Sequence, residues 1–167
     1  MIQPLISVIV CTYDNEHLLS FTLESLENQN LPNDLYQVII VINNSKDTTR
    51  QLAIRYVQNN PNFSLINETR QGLSHARNKG WKNALGKFVA FIDDDARASP
   101  NWCQKIIDAF ENITPKPTAV GGAIYPLYER KPPKWFSNKF EIRSWGEKPH
   151  FLKGNTMKWG FSGSNMA

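Results

Sequence analysis

Five short apolar runs recur along the chain: Leu5–Cys11, Tyr36–Ile42, Phe63–Ile66, Lys87–Ile92 and Thr118–Tyr125. Several are nearly continuous in Val, Ile and Phe, the pattern of strands covered on both faces. The segments between them have helical spacing. Leu19, Leu23 and Leu26 mark the first, and Leu52, Ala53, Tyr56 and Val57 the second. Leu73, Ala76, Gly80 and Ala84 mark the third, and Trp102, Ile106, Ala109, Phe110 and Ile113 the fourth. Gly86 is expected to stop the third helix, and Ser99-Pro100 to open the fourth as its N-cap and first helical residue. Strand and helix alternating in this way predict an α/β fold, a mostly parallel sheet flanked by helices with right-handed crossovers. Ligands of such sheets bind outside the carboxyl ends of the strands, so those ends are where chemistry is sought.

After Tyr125 the alternation stops. Residues 126–167 hold prolines at 126, 132, 133 and 149, many aromatic residues and little periodicity. They are expected to form an irregular extension over one end of the sheet, which divides the chain into units 1–125 and 126–167. At 167 residues the chain has the length of one domain, at roughly 100–200 residues each. Its +4 charge is unevenly placed. Residues 129–158 hold eight Lys/Arg and three Glu, and the remainder 11 basic and 12 acidic residues. A basic segment on a near-neutral body is not a diffuse nucleic-acid-binding face, and no nucleic-acid partner is expected. No 18-residue apolar run is present, and the start has neither a basic n-region nor a small-residue cleavage site. The expected location is cytoplasmic, so the Asn-x-Ser/Thr matches at Asn43, Asn62, Asn67 and Asn112 have no expected role. Cys11 and Cys103 are expected to be reduced thiols, Cys11 as a small buried hydrophobe.

Each strand is followed by polar residues. Thr12-Tyr13-Asp14-Asn15 follows the first, Asn43-Asn44-Ser45-Lys46-Asp47 the second, Asn67 to Gly72 the third, and Asp93-Asp94-Asp95 the fourth. Asn15, Ser45 and Asp47 are read as turns and helix caps. The acidic triplet is different. Three adjacent carboxylates repel one another, and capping needs only one. Oxygen ligands without His or Cys suit Mg²⁺ or Mn²⁺, which take one or two carboxylates and complete their shell with phosphate oxygens and water. A metal–diphosphate site is the expectation, against a solvated acidic turn as the alternative. Other motifs fail. There is no Gly-x-Gly-x-x-Gly, Gly80 to Phe88 has the wrong glycine spacing for a P-loop, and His17, His75 and His150 lack metal-ligand spacing.

Four blocks, Ile6 to Asn15, Val38 to Asp47, Gly72 to Gly80 and Phe88 to Asp95, together resemble the family 2 glycosyltransferases of the GT-A, Rossmann-like fold. The closing Gly160 to Ala167 is similar to that family's Gly-rich loop ending in Asn-Met-Ala. The resemblance implies an inverting transferase that moves a sugar from a nucleotide-diphosphate sugar, UDP-sugar favoured, to a glycan or lipid-linked acceptor in polysaccharide or cell-surface biosynthesis. It implies donor-binding roles for Thr12, Tyr13, Asp14, Asn43, Arg77, Asp93 and Asp94. Thr12 and Tyr13 would line the nucleobase pocket, Asn43 would stand where an Asp contacts uridine, and Arg77 would approach the donor. Asp93 and Asp95 would be the Asp-x-Asp pair, with Asp95 as the ligand of Mn²⁺ or Mg²⁺. The family's general base would lie beyond Ala167, so residues 126–167 would be the start of a truncated acceptor-side extension. Two alternatives are a sugar-nucleotide nucleotidyltransferase and a non-catalytic nucleotide-sugar- or carbohydrate-binding fragment. The extension's aromatic and basic residues admit a small satellite core, or an acceptor platform with peripheral association at the inner membrane face. Apolar surface left open around Trp159, Phe161 and Met166 would favour self-association.

Overall fold

The first four apolar runs become strands in the computed structural model, which describes residues 3–144, 146, 148–152 and 163–167. They are β1 (Ile6–Thr12), β2 (Tyr36–Ile42), β3 (Phe63–Asn67) and β4 (Phe88–Asp93), all parallel, in the order β3-β2-β1-β4. Helices α1 (Glu16–Glu27), α2 (Thr49–Asn59), α3 (Leu73–Trp81) and α4 (Trp102–Asn112) alternate with them. The apolar runs are continuous because helices cover both faces. Ile6, Val8 and Val10 of β1 and Val38, Ile40 and Ile42 of β2 pack in one core with residues of α1, α2 and α4. Ile9, Ile39 and Val41 face the other way, onto Ala76 of α3. Leu19, Leu23 and Leu26, one face of α1, are fully buried, and each stabilises the fold by about 1.5–3 kcal/mol.

Three sequence expectations need correction. Thr118–Tyr125 forms no strand. It makes only isolated bridges, Gly121 to Met166 and Ile124 to Arg143. Gly86 does not stop α3, which ends at Trp81 before Ala84. Gly86 instead lies in the bend just before β4, where a Cβ would stand 2.5 Å from the Ser7 nitrogen and 2.6 Å from the Ile6 carbonyl carbon. Ser99 does not cap α4. Its carbonyl accepts the Trp102 N–H (2.9 Å) in the turn that leads into the helix, and Asn101 holds the N-cap position without a side-chain capping bond.

Residues 163–167 return to the open edge of β4. Met166 exchanges backbone hydrogen bonds with Phe91, and Ala167 with Val120. Asn165 accepts the Trp102 indole N–H (2.9 Å) and donates to the Ala123 carbonyl (3.3 Å). Met166 is therefore half-buried between two backbone segments, not left open as expected. Trp159 and Phe161, invoked with it, lie outside the described residues, as do Trp145 and Glu147.

Candidate functional site

Register levels the carboxyl ends of the strands. Thr12 pairs with Ile42, Ile42 with Asn67, and Cys11 with Asp93. The polar segments after each strand therefore emerge along one edge. A cavity of about 380 Å³ opens there, lined by Cys11, Thr12, Tyr13, Asp14, Asn15, Asn43, Gln71, Gly72, Leu73, Ala76 and Asp94. It straddles β1, next to the point where strand order reverses, the expected place in an open α/β sheet.

Five of the residues singled out in the sequence share this cavity, and they do different things. Thr12 is 3% exposed, and its hydroxyl has no hydrogen bond of good geometry among the described residues. Tyr13 is half exposed and offers its ring. Asp14 has φ +46°, a conformation that Asp tolerates better than most residues. It ties two loops together, its carboxylate accepting the Lys46 N–H (2.6 Å) while its own N–H donates to Ser45 Oγ (3.2 Å). Asn43 is buried and bonded to backbone through its whole amide. Burial pushes the Asp94 carboxyl above the usual range. The nearby Thr12 and Asn15 side chains oppose that rise, and the Asp95 and Asp93 charges add to it.

The remaining three lie beside the cavity. Arg77 donates to Asp93 Oδ1 (3.0 Å) and to the Gly163 carbonyl (3.3 Å). The other Asp93 oxygen accepts the Ser164 hydroxyl (2.5 Å). Both oxygens of Asp93 are thus engaged, and the structure does not bring Asp93 and Asp95 together as a pair of free carboxylates. Among the described residues no three His, Cys, Asp or Glu side chains gather as a metal cage. Asp95 is exposed, with no hydrogen bond or ion pair among the described residues. A cation that relies on one carboxylate, diphosphate oxygens and water fits that donor set.

Sequence reasoning missed Gln71 as a cavity wall, and Gly163 and Ser164 as the partners of Arg77 and Asp93. A Cβ on Gly163 would stand 2.5 Å from Arg77 Nη2, so the glycine is what admits the guanidinium. Of the turn residues, Asp47 does accept the Thr49 N–H (3.0 Å) at the start of α2, whereas Asn15 holds the N-cap position of α1 without a capping bond. Cys11 lines the cavity half-buried, and burial raises both its thiol and that of Cys103 to about 12. Neither is a thiolate nucleophile at neutral pH.

A doubly wound sheet with a polar cavity at its switch point places the chain among the α/β domains that take ligands at the carboxyl edge of a parallel sheet. The chain belongs to glycosyl transferase family 2, whose family model matches residues 7–164. It is 32% identical over 137 residues to the glucosyl-dolichyl phosphate glucuronosyltransferase of Haloferax volcanii, covering 81% of this chain and 43% of that protein. It is 36% identical over 107 residues to the putative glycosyltransferase EpsH of Bacillus subtilis, covering 64% and 30%. Among solved structures, it superposes with a TM-score of 0.65 on the mannosyltransferase PcManGT from Pyrobaculum calidifontis in complex with GDP-Man and Mn²⁺ (28% identity; 72% of this chain, 35% of that one). S. aureus TarS 1–349 in complex with UDP-GlcNAc gives 0.63 (26% identity; 77% and 37%). The fold is that of the GT-A glycosyltransferases. The chain spans less than half the length of these relatives.

Proposed function

We propose that this chain is the donor-binding part of an inverting glycosyltransferase that uses a nucleoside-diphosphate sugar, with UDP-sugar favoured. The observation that carries the reading is the polar cavity at the switch point, where the buried Thr12 hydroxyl and the Asp94 carboxyl meet beside the half-exposed Tyr13 ring. A concave site with a few convergent polar groups at that position is where such a sheet takes a ligand. Thr12, Tyr13 and Asp14 line the part of the cavity proposed for the nucleoside, and Asp94 the part proposed for the ribose. Asp95 would hold Mn²⁺ or Mg²⁺. Such an ion, when bound, neutralises the charge that grows on a leaving diphosphate.

The chain's own residues prepare that site. Arg77, held by Asp93 and the Gly163 carbonyl, keeps a fixed cation beside the triplet and is the group proposed to meet developing negative charge. Attack on the opposite face of the sugar needs a base within hydrogen-bond reach of the acceptor hydroxyl. At the strand ends Asp14, Asp93, Asp94 and Asp95 are taken up by the donor and metal site in this account, Asp47 accepts the Thr49 N–H and Glu68 is paired with Arg70, while Glu129 and Glu141 are exposed, with Glu129 bonded to His17 (2.7 Å). The acceptor is proposed to be a glycan or a lipid-linked sugar, and the acceptor side to begin in residues 126–152. Residues 163–167 belong with the donor unit in this proposal, because they dock on β4. Released nucleotide, measured with a panel of acceptors, tests the reading. This chain should bind donor and hydrolyse it slowly at most, and a longer chain should show acceptor-dependent turnover. Acceptor-dependent turnover by the 167 residues would place the base within them.

A further inference from the structure

Asn43 directly follows β2 and is 4% exposed. Its Nδ2 donates one hydrogen to the Glu68 carbonyl (2.9 Å) and the other to the Arg70 carbonyl (2.8 Å), and its Oδ1 accepts the Gly72 N–H (2.8 Å). Two carbonyls on one side and an N–H on the other fix the orientation of the amide, since the flipped amide would oppose oxygen to oxygen twice. All three partners belong to the turn between β3 and α3. That turn is held further by the Glu68 N–H on the Ile42 carbonyl (3.0 Å) and by Arg70 on the Glu68 carboxylate (3.1 and 3.0 Å). Gly72 sits at φ +131°, which favours glycine. The far end of the turn, Gln71 to Leu73, is a wall of the cavity. Asn44 adds a second tie, donating to the Thr69 carbonyl (2.9 Å) and to Gln71 Oε1 (3.0 Å).

We infer that Asn43 is a positioning residue, building the cavity wall at Gln71–Gly72 through the backbone of residues 68–72 instead of reading the nucleobase with its own side chain. The inference rests on the nucleotide-donor reading and alters the role expected of position 43. With both amide hydrogens engaged, Asn43 has none to offer a base. With Oε1 taken by Asn44, the Nε2 donor is what the side chain of Gln71, a cavity-lining residue, has left to offer a ligand. An ionised carboxylate at position 43 would carry no hydrogen and would oppose two carbonyls.

Titration of UDP and GDP, each with Mn²⁺, into the wild-type chain and Asn43→Asp tests this. Both affinities should fall together by about tenfold, with their ratio kept within twofold. The loss should shrink as pH falls from 8 to 5, because the variant's carboxyl regains one donor when it is protonated. Gln71→Ala should instead change the UDP-to-GDP ratio. A several-fold change of ratio in Asn43→Asp, with no pH-dependent recovery, would overturn the inference and return base reading to Asn43. Amide exchange at Gly72 in the wild-type chain without ligand gives an independent readout. Protection there is expected, and rapid exchange would overturn the positioning role even if nucleotide binding is found. If neither nucleotide binds the wild-type chain, the donor reading fails, while exchange at Gly72 in wild type and Asn43→Asp still decides whether position 43 holds the turn.

Discussion

At the scale of single residues, the acidic triplet was legible but its division of labour was not. Sequence alone shows three adjacent carboxylates. That Asp93 is taken by Arg77 and Ser164 depends on partners 16 and 71 residues away, which adjacency in sequence does not reveal. Asn43 misled for the same reason, since its partners lie 25 to 29 residues further on. Glu68 passed unnoticed because one isolated Glu in a loop carries no pattern. Yet Arg70, through its guanidinium and its own backbone N–H, holds the Glu68 carboxyl down to about 2, from an ordinary value near 4.5. A depressed carboxyl contributes stability that is full above the unfolded value and lost as pH falls through the folded one. The stability difference between wild type and Glu68→Gln should therefore be largest above pH 4.5 and shrink between pH 4.5 and about 2. Denaturant midpoints across that range would measure it, and a difference independent of pH would contradict the pairing.

At the scale of elements, the four strands were legible because two-sided burial demands unbroken apolar runs. Thr118–Tyr125 looked similar, but Gly121 and Gly122 interrupt it and prolines 117 and 126 bound it, so it reaches only bridge contacts. Gly86 was misread as helix punctuation, whereas Gly80 does lie on the packed face of α3, and both glycines serve close approach. Gly80 lets α3 sit on the sheet, since a Cβ would fall 2.4 Å from Ile9 Cγ2. Gly80→Ala should destabilise by about 1–3 kcal/mol, because a core side chain must move. Gly86→Ala should cost more, since the clashing atoms are β1 backbone. Thermal midpoints would fall by about 2–4 °C per kcal/mol in a chain of this size. Equal loss in the two variants, or none, would refute the close-approach account.

At the scale of the whole molecule, the parallel sheet and its active edge follow from pattern, whereas the docking of residues 163–167 on β4 does not, because a short Gly-Ser-Asn segment carries no periodicity. The extension keeps both of its sequence readings in view. Tyr128, Trp135 and Phe136 meet edge to face at 5.9 Å as a small satellite cluster. Trp135 is nonetheless 78% exposed, close in sequence to the exposed Leu127, Arg130, Lys131 and Lys134. No helix among the described residues is long and apolar enough to cross a membrane. Peripheral contact with anionic lipid predicts cosedimentation with phosphatidylserine-containing vesicles that weakens as salt rises and is reduced in Trp135→Ala. No pelleting at low salt would remove the lipid contact. The central claim is a metal-dependent nucleoside-diphosphate site at the carboxyl edge of the sheet. Calorimetric titration of UDP into the wild-type chain with Mn²⁺, with chelator, and into Asp95→Ala with Mn²⁺ tests it most directly. The account predicts binding in the first case, and affinity reduced at least about tenfold in the other two. Equal affinity in all three, or no UDP or GDP binding in any, would contradict it.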